Sequence, residues 1–248
     1  MLSKSQISLV KSLQQKKFRK ENNLFFVEGI KAVTEFLISS FALNSIYIVS
    51  ELVPKLPKLS HKQKVFEVSI NELQKISALQ NPQGVLAVFE IPKNIDFAPE
   101  KINDLVIVLD GIQDPGNMGT IIRTADWFGF KHILCSLDTV DVYNPKVVQA
   151  SMGSLVRVSI YYKELPDFFA ENKLPVYGAL LNGNNIFKSK FEEKGYLIFG
   201  NEGNGISEQL KPFISKAITI PGGEGTESLN VSISAAICCA QIRKNIYK

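Results

Sequence analysis

Three stretches of this chain combine glycine with polar side chains in a way that suits a bound ligand. They are Asp110-Gly-Ile-Gln-Asp-Pro-Gly-Asn-Met-Gly119, Gly200-Asn-Glu-Gly-Asn-Gly205 and Pro221-Gly-Gly-Glu-Gly-Thr-Glu-Ser-Leu-Asn230. Glycine lets a backbone approach a molecule that a side chain would hold off. The chemistry these stretches lack is also informative. The dinucleotide fingerprint G-x-G-x-x-G is missing after the first buried strand, and the Walker pattern and the hydrolase elbow G-x-S-x-G are missing throughout. No lysine stands in any of the three, which argues against a nucleotide-phosphate loop. Cys135, Cys238 and Cys239 show no C-x-x-C spacing, and His61 and His132 have no second ligand nearby, so no metal is expected and the thiols are expected to be buried. The residues alone support an α/β enzyme or binder with a glycine-rich site.

The elements that would position these stretches follow from the apolar pattern. Leu105 to Leu109 is a continuous apolar run between Asp104 and Asp110, as expected of a strand buried on both faces. Met118, Ile121, Ile122 and Ala125 then recur at helical spacing. Strand-like runs return at His132 to Cys135, Val176 to Leu180, Tyr196 to Phe199 and Ala217 to Ile220, mostly with helical segments between them. That alternation predicts a parallel sheet flanked by helices, and ligands of such sheets bind beyond the carboxyl ends of the strands, where the three stretches lie. A last helix is expected from about Leu229 to Ile246, with Ser228 as its cap. Upstream, Ser5 to Ser40 reads as two helices around the extended segment Leu24 to Val27, with strands at Ser45 to Val49 and Val65 to Val68. The expected division is a small α/β domain over residues 1–93, a linker over 94–104 and a larger α/β domain over 105–248.

The 248 residues are 45% hydrophobic and 21% charged, an ordinary soluble composition, with no apolar run long enough for a membrane span. Met1 to Gln15 is too polar for a signal peptide, so the cytoplasm is the expected location. The net charge of +4 lies wholly in residues 1–100, which hold 13 Lys and Arg against 9 Asp and Glu. Lys4, Lys11, Lys16, Lys17, Arg19 and Lys20 stand in the first 20 residues without an acid. Such a cluster suits a polyanion, and equally a solvated helix face.

The segments VLDGIQDPGNMGTIIRTADWFGF, LIFGNEGNGIS and ITIPGGEGTESLNVSISAA resemble, in order and spacing, the three signature motifs of the SpoU (TrmH) family of S-adenosyl-L-methionine-dependent RNA 2′-O-methyltransferases. NPKVVQASMGSLVRVSI, between the first two, is also typical, so the resemblance covers residues 105–245 closely. The earlier part, including NPQGVLAVFE, is similar more loosely to the small, L30e-like substrate-binding domain that many members carry. The resemblance implies a SPOUT fold with a deep C-terminal trefoil knot, a homodimer with its active site near the subunit interface, and methyl transfer to structured RNA, ribosomal rather than transfer RNA. It leaves a non-catalytic RNA-binding protein of the same fold as the alternative.

Carried across position by position, the resemblance places Asn117, Arg123, Glu202, Ser228 and Asn230 in catalysis. It places the cofactor against Gly200, Asn201, Glu202, Gly203, Ile220, Ser228 and Leu229, and RNA against Arg123, while the basic cluster of the first 20 residues offers Lys16, Lys17, Arg19 and Lys20 as further RNA contacts. A ribose hydroxyl is a poor nucleophile, so its proton must be removed or accommodated as it attacks in line. Arg123 is too basic to act as the base, and stabilising the phosphate or the developing alkoxide suits it better. Each residue also has a plainer reading: Arg123 paired with Asp126, Glu202 near a helix start, and Ser228 as a cap. The two acids of the third loop, Glu224 and Glu227, add no assignable role.

Overall fold

The computed structural model describes residues 1–60, 63–93, 96–223 and 228–244, which fall into two compact units. The first holds residues 1–94 and 141–156, and the second holds 95–140 and 157–248. No helix among the described residues is long and apolar enough to cross a membrane.

In the first unit the chain forms α1 (Lys4–Ser12), α2 (Lys16–Asn22), β1 (Leu24–Glu28), α3 (Ile30–Leu37), β2 (Leu43–Ile48), β3 (Lys64–Glu67), α4 (Ile70–Gln74) and β4 (Val85–Glu90). The strands make one sheet in the order β1-β4-β2-β3, mixed in direction because β2 and β3 run parallel while β4 is antiparallel to both its neighbours. One face carries the cluster Val10, Leu13, Phe26, Tyr47, Leu73, Leu86 and Val88. The expected first helix is two helices, because the chain turns at Leu13 and restarts after Gln15. Arg19 departs from its expected place on an RNA surface. It is 2% exposed, its guanidinium bonds the carbonyls of Leu13 and Gln14, and it pairs with Asp141 at 2.6 Å. A cation so enclosed holds the turn between helices and cannot reach a phosphate. Lys16, Lys17 and Lys20 remain exposed.

The second unit begins with β5 (Leu105–Leu109), α5 (Pro115–Trp127) and β6 (His132–Ser136). The chain then contributes α6 (Pro145–Ser151) to the first unit. It returns with β7 (Ser159–Lys163), α7 (Leu165–Ala170), β8 (Val176–Asn185), β9 (Gly195–Phe199), β10 (Lys216–Thr219) and α8 (Val231–Arg243). The six strands form a sheet in the order β10-β8-β9-β5-β6-β7, every pair parallel. Val106 and Val108 face a cluster with Leu134, Phe169, Tyr196 and Ile198, and the strand's alternation turns Ile107 and Leu109, both fully buried, to the other face.

Two local features bear on the site. Pairing of β8 with β10 jumps from Gly178↔Ala217 to Asn184↔Ile218, so residues 179–183 of β8 have no opposite partner in β10. Any Cβ on Gly183 would lie 2.8 Å from backbone atoms of Ala217 and Ile218, so the two neighbouring backbones are in direct contact here. The last helix starts at Val231 with Asn230 as its cap, where Ser228 was expected. Asn230 Oδ1 accepts from the Ser232 amide at 2.9 Å, whereas Ser228 is exposed and its side chain has no hydrogen bond among the described residues. Ile246, the expected end of this helix, lies outside the described residues, as do His61, Glu224 and Glu227.

Candidate active site

The loops that follow β5, β6 and β9, three neighbouring strands, are tied to one another by buried or half-buried bonds. Asp110, 8% exposed, accepts the Ser207 amide at 2.7 Å. The Gly111 amide donates to Ser136 Oγ at 2.8 Å, and Thr139 Oγ1 donates to the Leu109 carbonyl. Gly111 has φ +68°, which glycine adopts without strain. Asn201 Nδ2 reaches the Gly111 carbonyl at 2.7 Å, while its Oδ1 accepts from the amides of Gly203 and Asn204. Asn201 is thus consumed in shaping its own loop, which closes through paired bonds between Asn201 and Gly205. That closure explains Gly200: a Cβ there would fall 2.1 Å from the Gly205 carbonyl carbon. Asp110, Ser136 and Thr139 were missed as positioning residues. Only Asp110 had a signal, as the polar residue ending a buried strand.

On this frame three of the expected catalytic side chains meet. Asn117 Nδ2 donates to Glu202 Oε1 at 2.6 Å, and Asn230 Nδ2 donates to Asn117 Oδ1 at 3.0 Å. The direction of this chain is set from the helix end. Asn230 Oδ1 must accept the free amides of α8, so its Nδ2 faces Asn117, whose oxygen is then occupied and whose nitrogen turns to Glu202. Asp114 caps α5 by accepting the Asn117 amide at 2.7 Å, fixing that residue in the first turn. Glu202 is exposed and has no cationic partner among the described residues.

Arg123 is not brought to this group. It is exposed six residues beyond Asn117 on α5, about 120° around the helix axis. Asp126, its alternative partner, is held instead by Arg157 at 2.9 Å. Ile220 is half-buried and Leu229 is 48% exposed, leaving two apolar side chains in the segments that lead to and from the third loop.

Residues 104–240 match the family model described as the SpoU rRNA Methylase family. The chain belongs to this family. As a SpoU family member it also carries, over residues 4–87, a match to the MRM3-like substrate binding domain. It is 32% identical, over 94% of both chains, to the 23S rRNA (guanosine(2553)-2'-O)-methyltransferase RlmP of Bacillus subtilis. Among solved structures it resembles a TrmH-family protein from Porphyromonas gingivalis, at 37% identity with TM-score 0.89 over 98% of this chain and 99% of that one. It also resembles an AdoMet-bound rRNA methyltransferase from Sinorhizobium meliloti, at 27% identity with TM-score 0.89 over 100% and 97%. These likenesses bear out the α/β SPOUT-type fold expected from the motifs.

Proposed function

We propose that this SpoU family member is an enzyme that transfers a methyl group from S-adenosyl-L-methionine to a ribose 2′-hydroxyl of ribosomal RNA. The observation that carries the reading is the Glu202-Asn117-Asn230 chain at the carboxyl ends of the sheet, in a protein similar along nearly its whole length to RlmP. The residues present fit the donor. A carboxylate with no cationic partner among the described residues complements a sulfonium, the exposed Leu229 and half-buried Ile220 suit an adenine face, and no described residue crowds Gly222 or Gly223. When bound, S-adenosyl-L-methionine supplies a methyl carbon made electrophilic by its positive sulfur.

The chain's own groups do the rest. Gly200, Asn201 and Gly203 shape the wall of the donor site through the closed loop, and Glu202 presents its charge there, held by Asn117. Ser228 and Asn230 stand at the loop's end, where an uncharged hydroxyl and amide can orient the ribose hydroxyl. Transfer from the bound donor would form the new O–C bond and break the C–S bond while the hydroxyl proton passes to water, and a guanidinium beside the developing alkoxide would lower the cost of that proton loss. Arg123 is the candidate for it, and its position supports a site completed by a second copy. Trp127, one turn further along the same face of α5, is 82% exposed, which suits a homodimer contact that carries Arg123 toward the partner's donor site. Residues 1–93 serve as the RNA-binding part, with Lys16, Lys17 and Lys20 facing phosphate, and the protein acts in the cytoplasm.

The test is methyl transfer from labelled S-adenosyl-L-methionine to total RNA from cells lacking this gene. Label should enter ribosomal RNA at one alkali-resistant ribose. Arg123→Ala should reduce transfer at least 100-fold, or about 2.7 kcal/mol of transition-state stabilisation, with melting unchanged. Donor binding without transfer to any RNA would overturn the enzyme reading.

A further inference from the structure

The first unit carries a half-open cavity of about 230 Å³ lined by Phe26, Glu28, Leu79, Pro145, Lys146 and Val148 among others. Glu28, the last residue of β1, is 4% exposed. Its Oε2 accepts from Ser77 Oγ and its Oε1 from the Ala78 amide at 2.9 Å, and no cation pairs with it among the described residues. A carboxylate has about four lone-pair positions, so these two bonds leave two acceptor positions open. Burial raises the pKa of this group, and the bonds from Ser77 and Ala78, which favour the charged form, offset that only in part. Buried polar groups that keep spare capacity beside a cavity are where a ligand is expected.

We propose that this cavity receives one unpaired guanine of the substrate RNA, read by Glu28. Among the four RNA bases, guanine alone presents two adjacent donors, N1–H and N2–H, on its Watson–Crick edge, and these match a carboxylate. Phe26, Leu79, Pro145 and Val148 supply apolar walls for the faces of a base taken out of its stack. Lys146 is exposed at the cavity, where its ammonium can meet the adjoining phosphate. The inference rests on RNA being the substrate and adds which base the first unit selects.

The experiment measures anisotropy of labelled eight-nucleotide RNAs on the full chain, comparing all-uridine with single central guanosine, inosine, adenosine or cytidine. Guanosine should tighten binding roughly tenfold over uridine, and inosine, which lacks the N2 amine, should lose most of that gain. Glu28→Gln keeps partners for Ser77 and Ala78 but presents an amide donor to guanine, and Ala150→Trp fills the cavity from its half-buried wall. Each should cut the guanosine preference below twofold while binding the uridine octamer as before. If Glu28→Gln melts early, Ala150→Trp decides. Guanosine no better than adenosine or cytidine, or a preference intact in the variant that folds, overturns the proposal. Methyl transfer by the unaltered protein is measured in parallel. Transfer without guanosine preference sinks the cavity alone, whereas guanosine preference without transfer to any RNA sinks the enzyme reading and leaves the cavity standing.

Discussion

Asn117 is the residue through which three loops communicate, since its amide takes a bond from Asn230 and gives one to Glu202. Neither neighbour is buried, so Asn117→Ala should cost less than about 1 kcal/mol of stability. Transfer should fall about 100-fold because the carboxylate and the cap amide lose their alignment. Single-turnover rates beside melting curves would check this, and parallel losses would reduce Asn117 to a scaffold role. Glu72 belongs to the same scale but acts on folding. Its carboxylate accepts the amides of Ser69 and Leu2, which lowers its pKa from 4.5 to about 2. A depressed carboxylate stabilises the fold above its unfolded pKa and loses that contribution as pH falls from about 4.5 toward 2. Glu72→Gln should therefore lower the melting temperature in the neutral region and leave it little changed near pH 2, flattening the decline over that window. Acid titration followed by circular dichroism reads both.

Among elements, the two 13-residue helices α5 and α8 pack together and run the same way. Their N-terminal ends meet at Asn117 and Asn230, and their C-terminal ends meet where Arg243 donates to the Phe128 carbonyl at 3.1 Å and stacks over Phe130. The β9 loop is as tightly specified. Gly200→Ala would drive a methyl into the Gly205 carbonyl, so the loop must open. Stability should fall by about 1–3 kcal/mol, and calorimetric binding of S-adenosyl-L-methionine should be lost. Much of this frame was legible: buried strands announce themselves as apolar runs, and α5 as Met118, Ile121, Ile122 and Ala125, all fully buried. β7 was not, because Ser159-Ile-Tyr-Tyr-Lys163 is a half-exposed edge strand whose polar ends and tyrosines break the run. The motif residues could be named from resemblance, but which of them touch was hidden. Contact between Asn117 and Glu202, 85 positions apart, depends on strand order. Arg19 misled for a related reason, since a charge count carries no information about burial.

For the molecule as a whole, the consequential feature is that residues 141–156 pack with residues 1–94. α6 lies on β1, Tyr143 packs its ring 4.7 Å from Phe25, and Asp141 neutralises Arg19. The family resemblance covers this segment but cannot say which core receives it. Residues 1–94 produced alone should thus expose Phe25 and strand Arg19 unpaired, at a cost of about 3–5 kcal/mol for the broken pair. The fragment should bind a hydrophobic dye and melt without cooperativity, and attaching residues 141–156 through a flexible linker should restore a sharp transition. A fragment that melts cooperatively without them would show the segment to be dispensable. The same arrangement orders events on the ribosome. Chains mostly fold from the N-terminus as they emerge, but here the leading unit stays unfinished until β5, α5 and β6 have been synthesised and residue 156 has left the tunnel. The two units must mature in overlapping time, and a pause in translation between residues 94 and 156 would hold an open first unit next to the opening strands of the second.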